Sequence, residues 1–543
     1  MIRSGRKYLD ALRDGREVWL DGERVEDVTG HPAFRNTASS IARLYDLAHD
    51  SEHSDLLTAD GVHRAYVVPR THADLVARRE AYKVWAEAGF GFLGRTPDCA
   101  AGGTAGFAAL PRLFTTDTFD GADNVLAYHR GLAEEDLYCA FTTGDPGPGT
   151  DTGTGDGDPA VRAVKECDGG IVVRGVKTIG TGAVFADEVI VGTTEPLAPR
   201  DADHALCFSL PLDTPGLKLV SRMSYEARSG GVFDDPLSSR FDENDSLLVC
   251  EDVFVPWERV LTYRNVEATA AMWWGTPAYL NFVHQAATRF WTRLEFLTGV
   301  AILLTRSSGT RELPAVSRSV GRLLGMVAQA KAFVLAAEAS WEHVDGGCGG
   351  VMPGTEISCA QRGMAGELYP RAVQEVRRLA GGSDRRLPES AEELLYPVPG
   401  AGDGPGTPGT RAKDRMKLLK LAREALGSEF AARHERDERF CHGVPYVHPA
   451  VRNRPGPAAV RNRAGGAATR TRPGGAAMRN WADGPAAQDW HGAARNWHGD
   501  TQDWHGDTQD WHGGAQKCER LATACLDGYD PDGAPTRTRG TFQ

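Results

Sequence analysis

A buried strand that runs directly into a long helical region constrains the fold of this chain most. Residues Ser246–Pro256 read SLLVCEDVFVP, an apolar and β-branched run. Pro256 ends this run, because proline cannot donate a hydrogen bond to a neighbouring strand. A polar turn, RFDEND at 240–245, precedes the strand, and Trp257 follows it. The stretch 236–261 therefore predicts a joint between a β layer and a helical bundle.

Further short runs of β-branched and apolar residues lie before this strand, separated by glycine, proline and aspartate turns. They are Ile171–Val176, Glu188–Val191, Ala205–Leu210 and Leu217–Val220. We expect residues 145–265 to form a central β domain, with a flexible loop at its Asp- and Gly-rich start.

Helical periodicity dominates on both sides of this domain. Residues 1–144 place apolar side chains at helical spacing in Ala38–Ala48 and in 70–95, which predicts an N-terminal helical domain. Residues 266–442 carry apolar stripes wide enough to predict a helix bundle and a subunit interface. The stripes run through Phe282–Ala301, Val316–Val334 and Lys417–Phe430.

Residues 443–515 differ from the rest of the chain in composition. Tracts of Arg, Gly, Ala and Pro lead into a seven-residue repeat whose four units contain Trp-His-Gly, the last at 511–513. Evenly spaced histidines could bind a metal, but a near-identical repeat with glycine in every unit favours tandem duplication into a loop. We predict a disordered insertion without a metal, followed by a terminal helix (Cys518–Asp530) and tail in 516–543.

Charge and hydropathy argue against several classes of function. The net charge is −12, which disfavours a nucleic-acid partner. No uncharged apolar run approaches the ~18 residues of a membrane span, and the first residues lack the apolar core of a signal peptide. The 10 cysteines are scattered, without a CxxC pair. We therefore expect a cytoplasmic protein that contacts no membrane.

Several motifs occur in order along the chain and together resemble the 4-hydroxyphenylacetate 3-hydroxylase family. They are DVTGHPAFRN (27–36), GRTPDC (94–99), PLSSRFDEND (236–245), VPWERV (255–260) and LGSEFAARHE (426–435). The resemblance covers about 8–442 and 516–530. It implies an α+β, acyl-CoA-dehydrogenase-like fold with an N-terminal helical domain, a central β-barrel-like domain and a C-terminal helix bundle.

The resemblance also implies an activity. Members are oxygenase components of two-component monooxygenases, which receive FAD as FADH2 from a separate NAD(P)H:flavin reductase and react with O2. A flavin C4a-hydroperoxide then transfers one oxygen atom to a small aromatic or heteroaromatic substrate. The absence of a GxGxxG motif after a predicted strand agrees with electrons that arrive on diffusing flavin. A homo-oligomer, dimer or tetramer, is implied as well.

Residues that match the family's flavin contacts fall in three segments. Thr181 matches a hydroxyl at the isoalloxazine edge. The other matching residues are Phe141, Thr142 and Thr143 in the segment after Asp136, and Ser428, Glu429, Phe430 and Arg433 in LGSEFAARHE. Arg433 could hold the diphosphate or ribityl chain. From the residues alone, Ser428 could equally be a helix cap and Arg433 a surface ion pair.

Residues that match the family's substrate contacts depart from its pattern at two positions. Arg95 in GRTPDC matches the catalytic arginine at the phenol oxygen, and Thr193 and Thr194 match a hydroxyl pair that binds the substrate carboxylate. The family's tyrosine position is Cys99 here, and its histidine position is Phe141.

The two departures matter because a phenol has a pKa of ~10 and histidine is the side chain best suited to accept its proton near neutrality.

Three alternatives stay open. The substrate needs no deprotonation, another base such as His284 or His204 acts, or oxygenase activity is lost. In the last case the chain would be a binding or scaffold paralogue. A fourth alternative is a lyase similar to 4-hydroxybutyryl-CoA dehydratase, with Cys99 near its iron–sulfur cluster position. That alternative lacks a companion cysteine, since Gly103 stands there.

Overall fold

The predicted central strand lies inside a six-stranded sheet in the computed structural model, which describes residues 2–146, 159–194, 197–381, 408–442 and 508–527. The strand extends over Asp245–Pro256, so its apolar run and its closing proline are confirmed. Within these residues the helices are α1 (Gly5–Ala11), α2 (Arg35–Leu47), α3 (Ser54–Leu57), α4 (His72–Ala88), α5 (Pro97–Ala109), α6 (Ala122–Glu135), α7 (Tyr225–Arg228), α8 (Ser238–Phe241), α9 (Val266–Trp274), α10 (Ala278–Ser307), α11 (Pro314–Ala339), α12 (Thr355–Ala380), α13 (Pro408–Gly427), α14 (Glu429–His442) and α15 (Thr508–Asp527).

The strands form two main sheets and two short hairpins. They are β1 (Glu17–Leu20), β2 (Glu23–Val25), β3 (Thr58–Ala59), β4 (Val62–His63), β5 (Cys139–Thr142), β6 (Arg162–Cys167), β7 (Gly170–Thr181), β8 (Glu188–Val191), β9 (Leu206–Pro211), β10 (Leu217–Ser221), β11 (Asp245–Pro256), β12 (Val260–Tyr263), β13 (Glu342–His343) and β14 (Val351–Met352). The larger sheet has the order β2-β1-β10-β11-β7-β6, and the smaller one β12-β9-β8-β5.

The two sheets share one apolar core. Leu219 and Leu248 of the larger sheet and Val189 and Phe208 of the smaller one belong to the same buried cluster. In the described part of the chain the sheets stay separate and do not close into a barrel, so the barrel-like arrangement is corrected to two packed open sheets. The edge strands of the two sheets are β2, β6, β5 and β12. They are short and offer few backbone groups that could pair with the other sheet to close a barrel.

Strands β1, β2 and β5 come from the first 144 residues, a region in which the sequence predicts helices. Glu17–Leu20 pairs in parallel with Leu217–Ser221, and Cys139–Thr142 pairs in parallel with Glu188–Val191. These strands are too short for the alternation of apolar and polar residues that marks a strand to be recognised in the sequence. The predicted domain limits stay predictions.

Helix α10 organises the helical bundle. Nearly every residue from Val283 to Leu304 is buried, because neighbouring helices approach it on all sides. Glycine permits two of these approaches. A Cβ on Gly106 of α5 would lie 2.3 Å from the backbone nitrogen of Ala278, and one on Gly299 would lie 1.9 Å from the carbonyl oxygen of Cys518 in α15.

Helix α15 corrects the predicted limits of the insertion. The helix begins at Thr508, whereas the sequence predicts disorder through residue 515. It buries Cys518, Leu521, Ala522 and Cys525, in its second half, against the bundle. Residues 443–507, with three of the four Trp-His-Gly units, lie outside the described residues.

One helix among the described residues, α11, is long and apolar enough to cross a membrane by length and composition. Only 28% of its apolar window is buried. A single helix of this kind is weak evidence for a membrane span, because core helices of other proteins pass the same test by length and composition.

Candidate active site

The turn Asp242–Asp245, which we call the acidic turn, joins α8 to β11 and gathers side chains from distant parts of the chain. Asp242 is fully buried and accepts hydrogen bonds from the backbone nitrogens of Tyr225 (2.7 Å) and Glu226 (3.2 Å). The guanidinium of Arg222 donates to it at 2.6 Å. These bonds fix the backbone from which the next two carboxylates project.

Asp245 brings together two of the residues predicted to contact flavin. Its carboxylate accepts a hydrogen bond from the Thr181 hydroxyl at 2.7 Å. The Nε and Nη2 atoms of Arg433 bind it in a bidentate pair, both at 2.8 Å, and Arg222 Nε adds a bond of 3.0 Å. Arg433 is therefore a buried ion pair, in contrast to the surface pair that the sequence left open.

Glu243 links the same network to the predicted catalytic arginine. Its Oε1 accepts a hydrogen bond from the backbone nitrogen of Gly94 and one of 2.5 Å from that of Arg95. Its Oε2 lies 3.9 Å from Arg433 Nη1. The hydroxyl of Tyr138 donates to the Arg95 carbonyl, so the backbone of Arg95 is fixed on both sides.

Buried charge shifts the pKa values of the two carboxylates in opposite directions. Burial favours the neutral form of Asp245, but the guanidiniums of Arg433 and Arg222 and the Thr181 hydroxyl outweigh it and lower the pKa of Asp245. Burial dominates at Glu243 and raises its pKa, against the opposing effect of Arg433. The acidic turn thus holds one firmly ionised carboxylate beside a second that protonates more readily.

The segment after Arg95 starts helix α5, whose 13 residues are all buried. The half-buried Arg95 side chain reaches Cys99, with Nη1 3.7 Å from Sγ. Burial raises the pKa of the Cys99 thiol to about 11, more than Arg95 lowers it, so the thiol is neutral near pH 7. A neutral thiol cannot replace the base considered from sequence.

Asp98 is a titratable group next to this pair that the sequence did not single out. Its Oδ1 accepts hydrogen bonds from Thr96 Oγ1 (2.5 Å) and Gln285 Nε2 (3.2 Å). Burial raises the pKa of Asp98 to about 7, and those two bonds oppose the rise.

Phe141 lies in what we call the aromatic cluster, formed by Phe107, Phe141, Trp273 and Phe282. The Phe141 ring centroid lies 5.0 Å from that of Phe282, 5.1 Å from Trp273 and 6.2 Å from Phe107. Gly103 lets Phe282 approach α5, because a Cβ there would lie 2.5 Å from Cζ of that ring. Cys99, Gly103 and Phe107 are spaced by four residues, so α5 presents one face from Arg95 to the cluster.

Two buried polar atoms beside the aromatic cluster have no hydrogen-bond partner among the described residues. They are Thr142 Oγ1 and Trp273 Nε1. Gly192, whose nitrogen donates to the Thr142 carbonyl at 3.0 Å, lies next to both, since its Cβ would be 3.7 Å from Trp273 Nε1. Thr143 follows directly and is half-buried. Unpartnered buried donors are costly and mark a place where a ligand could bind.

The predicted substrate residue Thr193 lies one step further along this chain segment. Its hydroxyl donates to Asp145 Oδ2 at 3.0 Å, and Lys177 Nζ binds Oδ1 of the same carboxylate at 2.5 Å. Thr193 and Lys177 are each 3% exposed. Thr194 is half-buried.

The remaining predicted flavin contacts lie at the start of α14. Ser428 caps this helix, since its hydroxyl accepts from the nitrogen of Ala431 at 3.0 Å. Glu429 is exposed, and Phe430 is buried against Phe92, with a centroid distance of 5.8 Å. Among 428–433, Arg433 is the residue that joins the acidic turn.

The two histidines considered as bases lie elsewhere. His284 Nε2 is 2.9 Å from Glu338 Oε1, and burial lowers its pKa, so it is a core histidine with a partner. His204 Nδ1 contacts the carbonyl of Val161 at 3.2 Å, in the turn before β9.

Several site residues were missed from sequence for different reasons. The acidic turn carried a signal, since three carboxylates stand directly before a buried strand, where solvent exposure cannot explain them. Trp273, Asp145 and Lys177 carried no local signal, because their meeting depends on how strands β5, β7 and β8 align.

Comparisons with known proteins agree on one family. Sequence profiles described as 4-hydroxyphenylacetate 3-hydroxylase N terminal and C terminal match residues 4–262 and 269–452. The chain is 34% identical over 449 residues, 80% of its length and 85% of the relative's, to the 4-hydroxyphenylacetate 3-monooxygenase oxygenase component of Pseudomonas aeruginosa. It is 34% identical over 469 residues (83% and 87%) to the 4-nitrophenol 2-monooxygenase oxygenase component of a Rhodococcus species.

The structure is similar to a crystal structure of the oxygenase component of 4-hydroxyphenylacetate 3-monooxygenase complexed with FAD and 4-hydroxyphenylacetate. The TM-score is 0.74 at 32% identity, covering 85% of this chain and 98% of the other.

Proposed function

Since this chain belongs to the 4-hydroxyphenylacetate 3-hydroxylase family, we propose that it is the oxygenase component of a two-component, flavin-dependent monooxygenase. Its proposed substrate is a small aromatic or heteroaromatic molecule, and its cofactor is FAD, supplied reduced by a separate NAD(P)H:flavin reductase. The observation that carries the proposal is the meeting of Arg95, Thr181 and Arg433 at the acidic turn.

The residues around the turn fit a flavin by their chemistry. Arg433 Nη1 is buried and has no hydrogen-bond acceptor among the described residues, and the same holds for Thr142 Oγ1. An anionic or carbonyl-rich ligand supplies the acceptors that these donors lack. We propose that Thr181, Arg433, Thr142 and Thr143 hold FAD, with Phe141 at its edge. Ser428, Glu429 and Phe430 support this role less, given their contacts.

Reduced FAD, when bound, supplies the electrons that activate O2 and so provides the oxygen atom for the substrate. The chain's own contribution begins with Arg95. Its guanidinium favours the ionised form of a nearby phenol. Glu243 and Tyr138 hold the Arg95 backbone from both sides, which fixes where this charge acts.

Proton removal is the weak part of the site. The aromatic cluster offers no imidazole, and the Cys99 thiol is neutral near pH 7. Arg95 alone therefore favours substrates that ionise without help or need no deprotonation, such as electron-poor phenols and aromatic amines. A relative named for 4-nitrophenol is consistent with this preference, since a nitro group withdraws electrons from the ring.

The protein is proposed to be a cytoplasmic homo-oligomer. Leu313, just before helix α11, is 53% exposed and Leu335 within it is 38% exposed, and apolar exposure of this kind is typical of a subunit contact. The nine cysteines whose state the structure describes are free, as expected in a reducing compartment.

The test is an anaerobic titration of the purified protein with photoreduced and with oxidised FAD. We expect reduced FAD to bind more tightly, and admission of O2 with a phenol panel to give hydroxylated products by mass spectrometry. Binding of neither flavin would contradict the proposal and favour the scaffold alternative. Binding of reduced FAD without any hydroxylated product would contradict the oxygenase step alone.

A further inference from the structure

We propose that Glu243 and Arg433 together bind the pyrimidine edge of the flavin ring, where the N–H group of ring nitrogen N3 stands between two carbonyl groups. The inference rests on the proposed function, since it assigns two side chains to one part of the proposed cofactor. It replaces the expectation from sequence that Arg433 holds the diphosphate or the ribityl chain.

The two side chains offer a ligand one acceptor and one donor at adjacent positions. Glu243 Oε2 and Arg433 Nη1 are both buried, and neither has a hydrogen-bond partner among the described residues. The two atoms are 3.9 Å apart, close enough to attract each other but too far apart for a hydrogen bond. A ligand edge that carries an N–H beside a C=O satisfies both atoms, whereas a group that only accepts satisfies one.

The other polar atoms of both side chains are already bonded, which fixes the position of this donor and acceptor. Glu243 Oε1 accepts from two backbone nitrogens, one of them that of Arg95, and such bonds favour the carboxylate form. Arg433 Nε and Nη2 donate to Asp245, which also accepts from Thr181 Oγ1. A single carboxylate therefore separates Arg433 from Thr181, the residue that matches a hydroxyl at the isoalloxazine edge.

The charges around the pair favour a neutral ligand edge over a diphosphate. Gly94 has no side chain that could cover Glu243 Oε2, and a Cβ on Gly94 would lie 3.4 Å from this oxygen. The same Cβ position is 3.5 Å from Arg289 Nε and 3.6 Å from Asp437 Oδ2, so charges of both signs border one space. A diphosphate would be repelled by the two carboxylates, whereas a neutral N–H and C=O edge would not.

The experiment compares FAD with 3-methyl-FAD, in which a methyl group replaces the hydrogen on N3. Each flavin is photoreduced and titrated anaerobically into the full-length protein, and calorimetry measures its affinity. We expect the methyl analogue to bind about 10- to 100-fold more weakly, the range that corresponds to the loss of one hydrogen bond to a charged group.

Glu243→Gln separates this role from support of the Arg95 backbone. The amide oxygen of the glutamine still accepts from the backbone nitrogens, but its NH2 group then meets the N3–H group as a second donor. We expect reduced FAD to bind about tenfold more weakly and reduced 3-methyl-FAD to bind as it does to the wild type. Reduced riboflavin, which lacks the diphosphate, should lose the same factor as FAD.

Asp252→Asn is the matched control, because Asp252 of β11 forms an exposed pair with Arg174 and should leave every affinity unchanged. If Glu243→Gln fails to fold, the wild type provides a second measurement. The NMR signal of the N3 proton, recorded with reduced FAD that is isotopically labelled at N3, should move downfield on binding because the proton is donated to a carboxylate.

Equal binding of FAD and 3-methyl-FAD by the wild type overturns the inference, and so does an N3 proton signal that does not move. An equal loss for both flavins in Glu243→Gln overturns it too, because Glu243 would then only hold the Arg95 backbone. In each of these cases reduced FAD still binds, and the proposed function stands. Failure of the wild type to bind reduced FAD instead contradicts the proposed function, and this inference with it.

Discussion

The acidic turn and the aromatic cluster are built on opposite principles, although α5 connects them. Around the acidic turn, charged side chains meet in direct ion pairs, such as that of Arg433 with Asp245. In the aromatic cluster the contacts are between ring edges and faces, and two polar atoms remain unpartnered. The first region is held by ion pairs before any ligand binds and keeps one donor, Arg433 Nη1, without a hydrogen-bond acceptor among the described residues. The second is held by ring contacts and offers a ligand its two unpartnered polar atoms.

This contrast predicts that a single change at the acidic turn has a larger effect than one at the aromatic cluster. Asp245→Asn removes the bidentate partner of Arg433 and one of the two carboxylates that pair with Arg222, since Asp242 remains. We expect it to lower the free energy of unfolding by about 3–5 kcal/mol and to abolish binding of reduced FAD. Thermal unfolding and flavin titration measure the two effects.

The control for this change is Asp252→Asn on the same strand, whose exposed pair with Arg174 should not affect either measurement. The pH dependence provides a further check. Because the pKa of Asp245 is lowered in the folded protein, its stabilisation is present above about pH 4 and is lost as the pH falls further. The difference between wild type and Asp245→Asn should therefore shrink only in acid. A difference that grows in acid would contradict the assignment.

The sequence predicted the fold around the acidic turn for a physical reason, and it placed a polar turn there without identifying the carboxylates as site residues. Carboxylates next to a strand that must be buried need partners, and wide helical stripes need a bundle. The aromatic cluster could not be predicted in this way. Phe107, Phe141, Trp273 and Phe282 come from four elements, and aromatic residues at each position are equally typical of an ordinary core. Helix α15 begins ten residues earlier than the terminal helix predicted from sequence.

The aromatic cluster can be tested by supplying the base that it lacks. Phe141→His combined with Cys99→Tyr should raise turnover of simple phenols by about 100-fold, since a positioned general base contributes roughly 10²–10⁴. Phe141→Leu with Cys99→Tyr is the control, because it removes the ring without adding a base. Product formation at saturating reduced FAD measures the effect. Equal, low activity in both double variants would mean that the pocket differs from the family at more than these two positions.

The contact between α5 and α10 that positions the cluster can be tested by adding one methyl group. Gly106→Ala places a Cβ 2.3 Å from the backbone nitrogen of Ala278, which cannot move without shifting α10. We expect a loss of about 1–3 kcal/mol in unfolding free energy and weaker substrate binding, because Phe107 moves with the helix. Gly131→Ala on α6 faces open space and should be neutral or stabilising. Equal effects of the two substitutions would show that the close contact is not needed.

The smallest effect is expected at Asp98, which lies between the two regions. Burial raises its pKa to about 7, whereas the unfolded chain ionises near pH 4. Between these values the folded state binds the proton and the unfolded state does not, so the stability contributed by Asp98 falls as the pH rises from about 4 to 7. Asp98→Asn removes this penalty but weakens the bonds from Thr96 and Gln285, so the two effects oppose each other and the variant should gain stability relative to the wild type as the pH rises from 5 to 8. Other buried carboxyls, such as that of Glu226, titrate in the same range and affect both proteins equally. The difference between the unfolding midpoints of the wild type and of Asp98→Asn therefore reports on Asp98 alone. If both midpoints change in parallel from pH 5 to 8, Asp98 is ionised throughout this range, as Asp245 of the acidic turn is.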